Sequence, residues 1–329
     1  MPPSAPSDRN SAGADERGLR GRGTQRIGFL GPEGTFTEQA LLTQHDLAGG
    51  DLRPIESIYD VLAAVESSEL DRGFVPLENS IEGTVNVTLD TLAFETGLLI
   101  HREVVISVQL SLLGQAGASP EDIKKVFSFP VAAAQCRSFL AREVPQAVVE
   151  AANSTADAAR LVGETGDATL AAIAPHLAGE VYGLEILRDE IEDHPENATR
   201  FVVVARDGIP APTGHDKTTI VVFQTADAPG SLLAILQEFA ARAINLTKLE
   251  SRPTKKGLGD YCFIIDLEGH VDEELVFDCL RDLQSKHEVK FLGSYPAAGE
   301  HGPEVRREAE VAWRNANEWV DSLRAQVER

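Results

Sequence analysis

Four polar side chains stand directly before a strongly apolar run in the second half of the chain. Residues 201–205 read Phe-Val-Val-Val-Ala, which is typical of a buried central strand. Just before this run stand Glu196, Asn197, Thr199 and Arg200. Ligand sites of open α/β sheets lie at strand ends, so these amide, hydroxyl and charged groups predict a polar binding site. The simpler alternative is an Asx or hydroxyl turn formed by Asn197 and Thr199.

A second polar cluster follows another apolar run. Residues 72–77 predict a buried strand, and five polar residues follow closely: Glu78, Asn79, Ser80, Glu82 and Thr84. Ser80 or Thr84 could supply the N-cap of the next helix. One cap does not require five polar side chains, so this cluster favours a functional site.

Predicted helix starts supply further candidate groups. A Gly-rich turn, Gly-Pro-Glu-Gly-Thr-Phe, brings Thr35 and Thr37 to a helix N-terminus, where backbone amides attract anions. A plain glycine turn with a threonine cap is an equally simple interpretation. Farther along, Ser128 precedes a helix that contains Gln135, and Thr155 lies in the cap of an Ala-rich helix. For Gln135 the default alternative is a neutral surface position.

Positioning these groups requires an α/β domain. Strands and helices alternate over residues 26–206, which predicts βα units and a mostly parallel sheet. Because the polar strand ends come from both halves, we expect two lobes with a cleft between them. Lobe 1 would comprise about 26–103 and 185–206, and lobe 2 about 104–184.

The rest of the chain divides into four segments. Residues 1–25 are poor in apolar residues and predict a disordered tail, and the Pro- and Gly-rich residues 207–216 predict a linker. Residues 217–296 follow the order βαββαβ, which is ferredoxin-like. Residues 297–329 predict a helical tail, docked through Trp313 or Trp319 on this chain or a partner.

Composition excludes several classes of partner. The chain has 329 residues and a formal charge of −22, which argues against binding to nucleic acid or to an anionic membrane surface. Its three cysteines have no metal-like spacing and fit a reducing cytoplasm. Residues 1–25 lack the apolar core of a signal peptide, and no apolar run is long enough to span a membrane.

Several motifs resemble, in order and approximate spacing, those of the prephenate dehydratases. They are GPEGTFTEQA, VPLENSIEGTVNVTLD, AQC, AAIA followed by YGL, and ENATRF. PGSLLAIL followed by NLTKLESRP resembles the C-terminal ACT regulatory domain of that family. The resemblance covers residues 26–296. It implies a two-lobed catalytic domain like that of periplasmic binding proteins, followed by an ACT domain.

The implied reaction converts prephenate into phenylpyruvate, CO2 and water in phenylalanine biosynthesis, with no metal or other cofactor. The resemblance makes Thr199 the essential threonine and gives Asn79 and Ser80 catalytic roles. The candidate substrate-binding residues are Thr35, Thr37, Glu78, Ser128, Gln135, Thr155, Arg200 and Phe201. Phe129 and Val131 stand where relatives commonly have His and Gln, so neither is assigned a role.

The chemistry suggests how these residues divide the work. Hydroxide leaves poorly, so we expect the Thr199 hydroxyl to meet it as a donor. One carboxylate must depart as neutral CO2, so the groups near Thr35, Thr37 and Ser128 are expected to bind the pyruvyl carboxylate instead. For Arg200 a structural ion pair is the alternative, because strand alternation sends it opposite to Thr199.

The resemblance also implies regulation by L-phenylalanine. The candidate effector-binding residues are Gly230, Ser231, Leu232, Leu233, Asn245, Glu250, Ser251, Arg252 and Pro253. In relatives these segments line a site between two ACT domains, which implies a homodimer or tetramer. Deletion of residues 217–329 is expected to leave basal turnover and to abolish the phenylalanine response.

Two other functions remain open from the sequence. A non-catalytic amino-acid sensor could use the same domains, and arogenate dehydratase would perform the same chemistry on the amino-acid analogue. Residues 1–25 are too few to hold a helical chorismate mutase domain.

Overall fold

The computed structural model describes residues 24–224, 229–254, 260–299, 315–316 and 318–326. Within these residues the strands form three sheets. The predicted N-terminal tail lies outside the described residues apart from residues 24 and 25.

Lobe 1 is built on the first sheet. Its strands are β1 (Arg26–Leu30), β2 (Asp51–Ile55), β3 (Arg72–Asn79), β4 (Gly83–Thr84), β5 (Leu99–Ser107) and β11 (Ala198–Ala205). Its helices are α1 (Phe36–Leu42), α2 (His45–Ala48), α3 (Ile58–Glu66) and α4 (Asn86–Asp90), which continues as a π-helical turn over Thr91–Glu95. The strand order is β2-β1-β3-β11-β5, with β4 paired to β3, so β11 lies inside the sheet, as its apolar sequence requires.

Lobe 2 is built on the second sheet. Its strands are β6 (Ser111–Gly114), β7 (Lys125–Ser128), β8 (Val148–Ala151), β9 (Leu170–Ala174) and β10 (Glu185–Arg188). Its helices are α5 (Pro130–Gln135), α6 (Arg137–Glu143), α7 (Thr155–Thr165) and α8 (His176–Tyr182), with a 3-10 turn at Pro120–Asp122. The strand order is β10-β6-β9-β7-β8.

The chain crosses between the lobes twice, at residues 108–110 and 189–197. The predicted lobe boundaries near residues 103 and 185 are therefore wrong, because β5 stays in lobe 1 and β10 stays in lobe 2. The apolar pattern marks a strand but does not reveal which sheet pairs with it. Hydrogen bonds tie the two crossing segments together, from Val108 N–H to the Asn197 carbonyl (2.8 Å) and from Ile191 N–H to the Leu110 carbonyl (2.9 Å).

The prediction of mostly parallel sheets is also wrong. β11 runs antiparallel to β3 and β5, and β6 runs antiparallel to β9 and β10. These are the strands that enter each lobe from the other one, so they run against the strands of the local βα units.

The C-terminal domain contains the third sheet. It comprises β12 (Asp216–Phe223), α9 (Ser231–Ala240), β13 (Leu246–Pro253), β14 (Tyr261–Glu268), α10 (Glu274–Lys286) and β15 (Glu288–Pro296). This βαββαβ order confirms the predicted ferredoxin-like fold, and the antiparallel strand order is β13-β14-β12-β15.

One face of that sheet packs against lobe 1. Val221, Ile264 and Leu292 share a continuous buried core with Leu77 and Val202 of lobe 1. Deleting the C-terminal domain would expose this apolar surface to water, so a truncated chain is no longer expected to keep its basal turnover.

The C-terminal tail is described only in part. Residues 318–324 are helical, and Trp313 lies outside the described residues. The Trp319 side chain is 64% exposed, so it does not dock on the described part of its own chain. Among the described helices, none combines the length and apolarity that a bilayer span requires.

Candidate active site

A cavity of about 560 Å³ lies between the lobes. Lobe 1 lines it with Thr35, Thr37, Asn79 and Thr199, and lobe 2 lines it with Gln135 and Thr155. Six of the residues predicted from the sequence are therefore brought together at one site.

β11 brings Thr199 to this cavity. Thr199 pairs with Asn79 of β3 across the sheet, and the two side chains meet there. Alternation along the strand sends the next side chain, Arg200, to the opposite face. Phe201 returns to the first face but lies deeper, 1% exposed and stacked on Phe74.

The backbone fixes the orientation of the Asn79 amide. Asn79 Oδ1 accepts hydrogen bonds from the backbone N–H groups of Ile81 and Glu82, both at 2.9 Å. Its Nδ2 must then point the other way, and it donates to Thr199 Oγ1 at 2.9 Å. The Thr199 oxygen thus acts as an acceptor towards Asn79, and its own proton remains available to a group in the cavity. Among the described residues no acceptor for that proton is observed.

Asn197 belongs to the polar cluster that the sequence places before β11, for which an Asx turn was the alternative interpretation. It lines the cavity, is 1% exposed, and hydrogen-bonds to Asn79 of lobe 1 and Gln135 of lobe 2. The sequence signal was its position beside Thr199, but its partners lie 118 and 62 residues away along the chain.

Two helix N-termini also border the cavity. Thr35 is the N-cap of α1 and Ser154 is the N-cap of α7, and each side-chain oxygen accepts from a backbone N–H of its helix. Thr37, the second residue of α1, and Thr155, the first residue of α7, also line the cavity. These ends direct partial positive charge and unpaired backbone N–H groups towards a bound anion.

Four predicted substrate ligands have other surroundings. Ser128 is fully buried and donates to the Phe129 carbonyl, and Phe201 belongs to the core of lobe 1. Glu78 and Arg200 face the C-terminal domain and form ion pairs with Lys248 and Asp266, respectively. We therefore correct their assignment as substrate ligands. The alternation of side chains along β11 was predicted correctly, but the domain that covers the opposite face of the sheet was not.

Ser80, predicted to be catalytic, does not line the cavity but supports it. Its hydroxyl accepts from Ala198 N–H at 3.0 Å and donates to Asn197 Oδ1 at 3.2 Å.

The described lining of the cavity is neutral or acidic. It includes the carboxyl groups of Glu56, Glu82 and Asp157 but no Lys, Arg or His side chain. Among the described residues, no group of three His, Cys, Asp or Glu side chains is arranged to hold a metal ion. Binding of an anion must therefore rely on hydroxyl, amide and backbone N–H donors.

The opposite face of β11 holds a buried charged cluster, which we call the junction. Arg200 donates to Asp266 Oδ2 (2.6 Å) and to the Tyr295 hydroxyl (2.8 Å). Its Nε lies 2.7 Å from Glu103 Oε2, but the N–H is not aimed at that oxygen, so the contact is an ion pair. Glu103 also pairs with Lys217 at 2.8 Å. The junction therefore joins β5 and β11 of lobe 1 to three strands of the C-terminal domain.

Protonation states in the junction follow from burial and charge. Burial opposes the charge on Arg200, but the carboxylates of Asp266 and Glu103 outweigh it and raise the pKa of the guanidinium. Burial likewise raises the pKa of the Tyr295 phenol, in spite of the neighbouring Arg200. Arg200 therefore stays cationic and Tyr295 stays neutral across the working range of an enzyme.

A second cavity, of about 350 Å³, lies in the C-terminal domain. It is lined by Gly230, Ser231, Leu232, Leu233 and Ser251, all of which were predicted to bind the effector. Gly230 has φ of +88°, a conformation that glycine adopts readily, and it stands directly before α9.

The other predicted effector residues do not line this cavity in the described chain. Asn245 is exposed, and Pro253 ends β13. Glu250 and Arg252 instead reach lobe 1, where Glu250 accepts from Thr84 (2.6 Å) and Arg252 donates to Asp90 (2.7 Å). Because β13 alternates, Ser251 faces the cavity while its two neighbours contact the catalytic part of the chain.

Comparison with known proteins assigns the family. The Prephenate dehydratase family model matches residues 27–209, and the ACT domain model matches residues 218–284. A prephenate dehydratase of Mycolicibacterium vanbaalenii is 41% identical over 313 residues, covering 91% of this chain and 98% of the relative. The chain belongs to the prephenate dehydratase family.

The similar solved structures include prephenate dehydratases and one protein that is described with a different activity. Prephenate dehydratase from Arthrobacter aurescens, in complex with L-Phe, is 38% identical with a TM-score of 0.83, covering 90% of this chain and 98% of that one. GqqA, described as a novel type of quorum quenching acylase, is 30% identical with a TM-score of 0.74, covering 83% and 98%.

Proposed function

We propose that the interlobe cavity carries out the decarboxylating dehydration of prephenate, with Thr199 as the donor to the departing hydroxyl. The observation that carries this assignment is the hydrogen bond from Asn79 to Thr199 Oγ1, which leaves the hydroxyl proton directed to the cavity. As the C–CO2 bond breaks, its electron pair moves into the ring and the ring hydroxyl leaves. A neutral alcohol does not ionise at pH 7, so Thr199 stabilises the leaving oxygen or relays a proton to it.

The neutral lining suits a substrate that must lose one of its two carboxylates. A cation beside the ring carboxylate would stabilise the ground state and raise the barrier to CO2 release. The pyruvyl carboxylate is assigned to the N-termini of α1 and α7, next to Thr37 and Thr155. Glu56 and Glu82 also line the cavity, and the described lining offers the ring carboxylate no cationic side chain as a counterion.

The effector assignment rests on the second cavity and on the relative solved with L-Phe. Binding of phenylalanine beside Ser231 and Ser251 would act on the cleft through differential affinity for two states of the enzyme. A site between two ACT domains requires at least a dimer, so a homo-oligomer in the cytoplasm belongs to this proposal.

Substitution of Thr199 tests the mechanism. Thr199→Val keeps the β-branched shape but removes the hydroxyl, and it should lower kcat roughly 10²-fold or more with a smaller change in KM. Thr199→Ser keeps the hydroxyl and should retain more activity than the valine variant. Phenylpyruvate formation is the measurement, and a near-normal kcat for Thr199→Val would refute the role of the hydroxyl.

Two competing activities are distinguished by substrate. The ratio of kcat/KM on prephenate and arogenate decides between a pyruvyl and an alanyl side chain. Acyl hydrolysis, the activity of GqqA, finds no support in the described lining, which offers no cysteine and no histidine. Burial raises the pKa of Cys136, which disfavours a thiolate nucleophile there. Absence of phenylpyruvate together with hydrolysis of an acyl amide would reverse this conclusion.

A further inference from the structure

Asn197 connects the two lobes through its side chain. It lies in the second crossing segment, directly before β11, and it is 1% exposed. Its Oδ1 accepts from Asn79 Nδ2 at 2.9 Å and from Ser80 Oγ at 3.2 Å. Its Nδ2 donates to Gln135 Oε1 at 2.9 Å, across the cleft in lobe 2.

The direction of these bonds is fixed from one end. Two backbone N–H groups hold Asn79 Oδ1, so Asn79 can offer only its NH2 group to Asn197. Ser80 accepts from Ala198 N–H, which leaves its proton for the same Asn197 oxygen. Asn197 must therefore present its own NH2 group to Gln135.

Gln135 is the last side chain in this series of hydrogen-bonded amides, and it faces the cavity. Gln135 Oε1 is occupied by Asn197, so the side chain of Gln135 turns its Nε2 away from Asn197. Gln135 lines the cavity, and among the described residues no acceptor for its NH2 group is observed. An N–H donor is the group that a carboxylate or a departing oxygen needs, whereas a carbonyl oxygen in the same place would repel it.

We propose that Asn197 is a positioning residue that sets the orientation of Gln135, so that lobe 2 presents an N–H donor and not a carbonyl oxygen to the substrate. Asn197 does not touch the reacting atoms in this scheme. This inference rests on the proposed function, because the oxygen that Gln135 meets belongs to the proposed substrate.

A double-mutant cycle between Asn197 and Gln135 tests the proposal. Asn197→Ala adds no charge and leaves Asn79 held by its two backbone donors, so Thr199 keeps its partner. The variant should lower kcat/KM for prephenate roughly 10-fold or more, mostly through KM, because Gln135 is free to turn its oxygen inwards. In a Gln135→Met background, which has no amide to orient, the same substitution should change kcat/KM by less than about threefold.

Controls separate this role from a structural one. Thermal unfolding of each full-length variant shows whether it is folded, and Asn197→Ser repeats the cycle if the alanine variant is not. Equal losses in both backgrounds, or a fall in kcat with unchanged KM, would overturn the inference. Failure of the proposed function has a different signature, because the wild-type enzyme would then form no phenylpyruvate.

Discussion

The interlobe cavity and the junction lie on opposite faces of β11, one residue apart, and they are built from different chemistry. Thr199 faces a cavity whose described lining holds hydroxyl, amide and carboxyl groups but no cationic side chain. Arg200 faces a buried cluster of ion pairs. The difference follows from what each face must do. A site that releases CO2 needs oriented neutral hydrogen-bond donors. A contact between two domains is held by charged groups instead, because the attraction within a buried ion pair weakens strongly when the two charges move apart.

Strand β13, which lines the proposed effector cavity, also has two faces with different contacts. On β13, Ser251 faces the second cavity, while Glu250 and Arg252 bond to lobe 1. Glu78, one residue before Asn79 on β3, forms an ion pair with Lys248 of β13 at 3.1 Å. Strands β3, β11 and β13 thus each carry a cavity-facing residue next to a residue that contacts the other domain, so a small shift of β13 would alter the contacts beside Asn79 and Thr199.

The sharpest test compares the adjacent residues Thr199 and Arg200. Arg200→Met leaves Glu103 and Asp266 buried with fewer partners, and it should lower the free energy of unfolding by about 3–5 kcal/mol. Thr199→Val should change stability by less than about 1 kcal/mol while it abolishes most turnover. Urea unfolding and kcat measured on both variants check the pair. As a control, Arg26→Met removes an exposed ion pair with Asp71 and should alter stability much less.

The close approach of the domains gives a second test. A Cβ atom on Gly293 of β15 would lie 2.4 Å from the Ile100 carbonyl oxygen of β5, and Gly293 has φ of +144°. Gly293→Ala should therefore lower stability by about 1–3 kcal/mol through strain and forced separation of the strands. Gly214→Ala is the matched control, because Gly214 has φ of +84° but no atom within 4 Å of the added Cβ. Equal melting temperatures for the two variants would contradict a tight joint at Gly293.

Coupling between effector and cleft should depend on the ion pairs that connect β13 of the C-terminal domain to lobe 1. Asp90→Asn weakens the ion pair with Arg252 and keeps the size of the side chain. The ratio of kcat/KM without and with phenylalanine should move towards 1 by up to roughly tenfold, because coupling energies of this kind are small. Asp46→Asn, at the ion pair with Arg102 within lobe 1, is the control and should leave the ratio as in the wild type.

The smallest expected effect concerns salt. A cavity whose described lining has no cationic side chain, in a protein of charge −22, repels a dianionic substrate. Raising the ionic strength screens that repulsion, so kcat/KM should rise by less than about threefold between low and physiological salt. A steep fall instead would reveal a cationic clamp, and the contrast between cavity and junction would fail.

Local sequence was informative wherever an element depends on its own residues. The apolar run after Thr199 determines a buried strand, the βαββαβ pattern determines the C-terminal fold, and threonine or serine caps mark the helices that border the cavity. Strand alternation alone separates Thr199 from Arg200, because successive side chains point to opposite faces.

Only the tertiary structure decided what each face meets. Arg200 and Glu78 were predicted as substrate ligands, yet their partners Asp266 and Lys248 stand 66 and 170 residues away in another domain. The sequence left Asn197 open between a polar site and an Asx turn, and only the packing of the two lobes brings its partners Asn79 and Gln135 to it. The sequence of β11 determines that its faces differ, but long-range packing decides which one becomes the active site. Hydrogen bonds and ion pairs between distant segments leave no periodic signal in either partner.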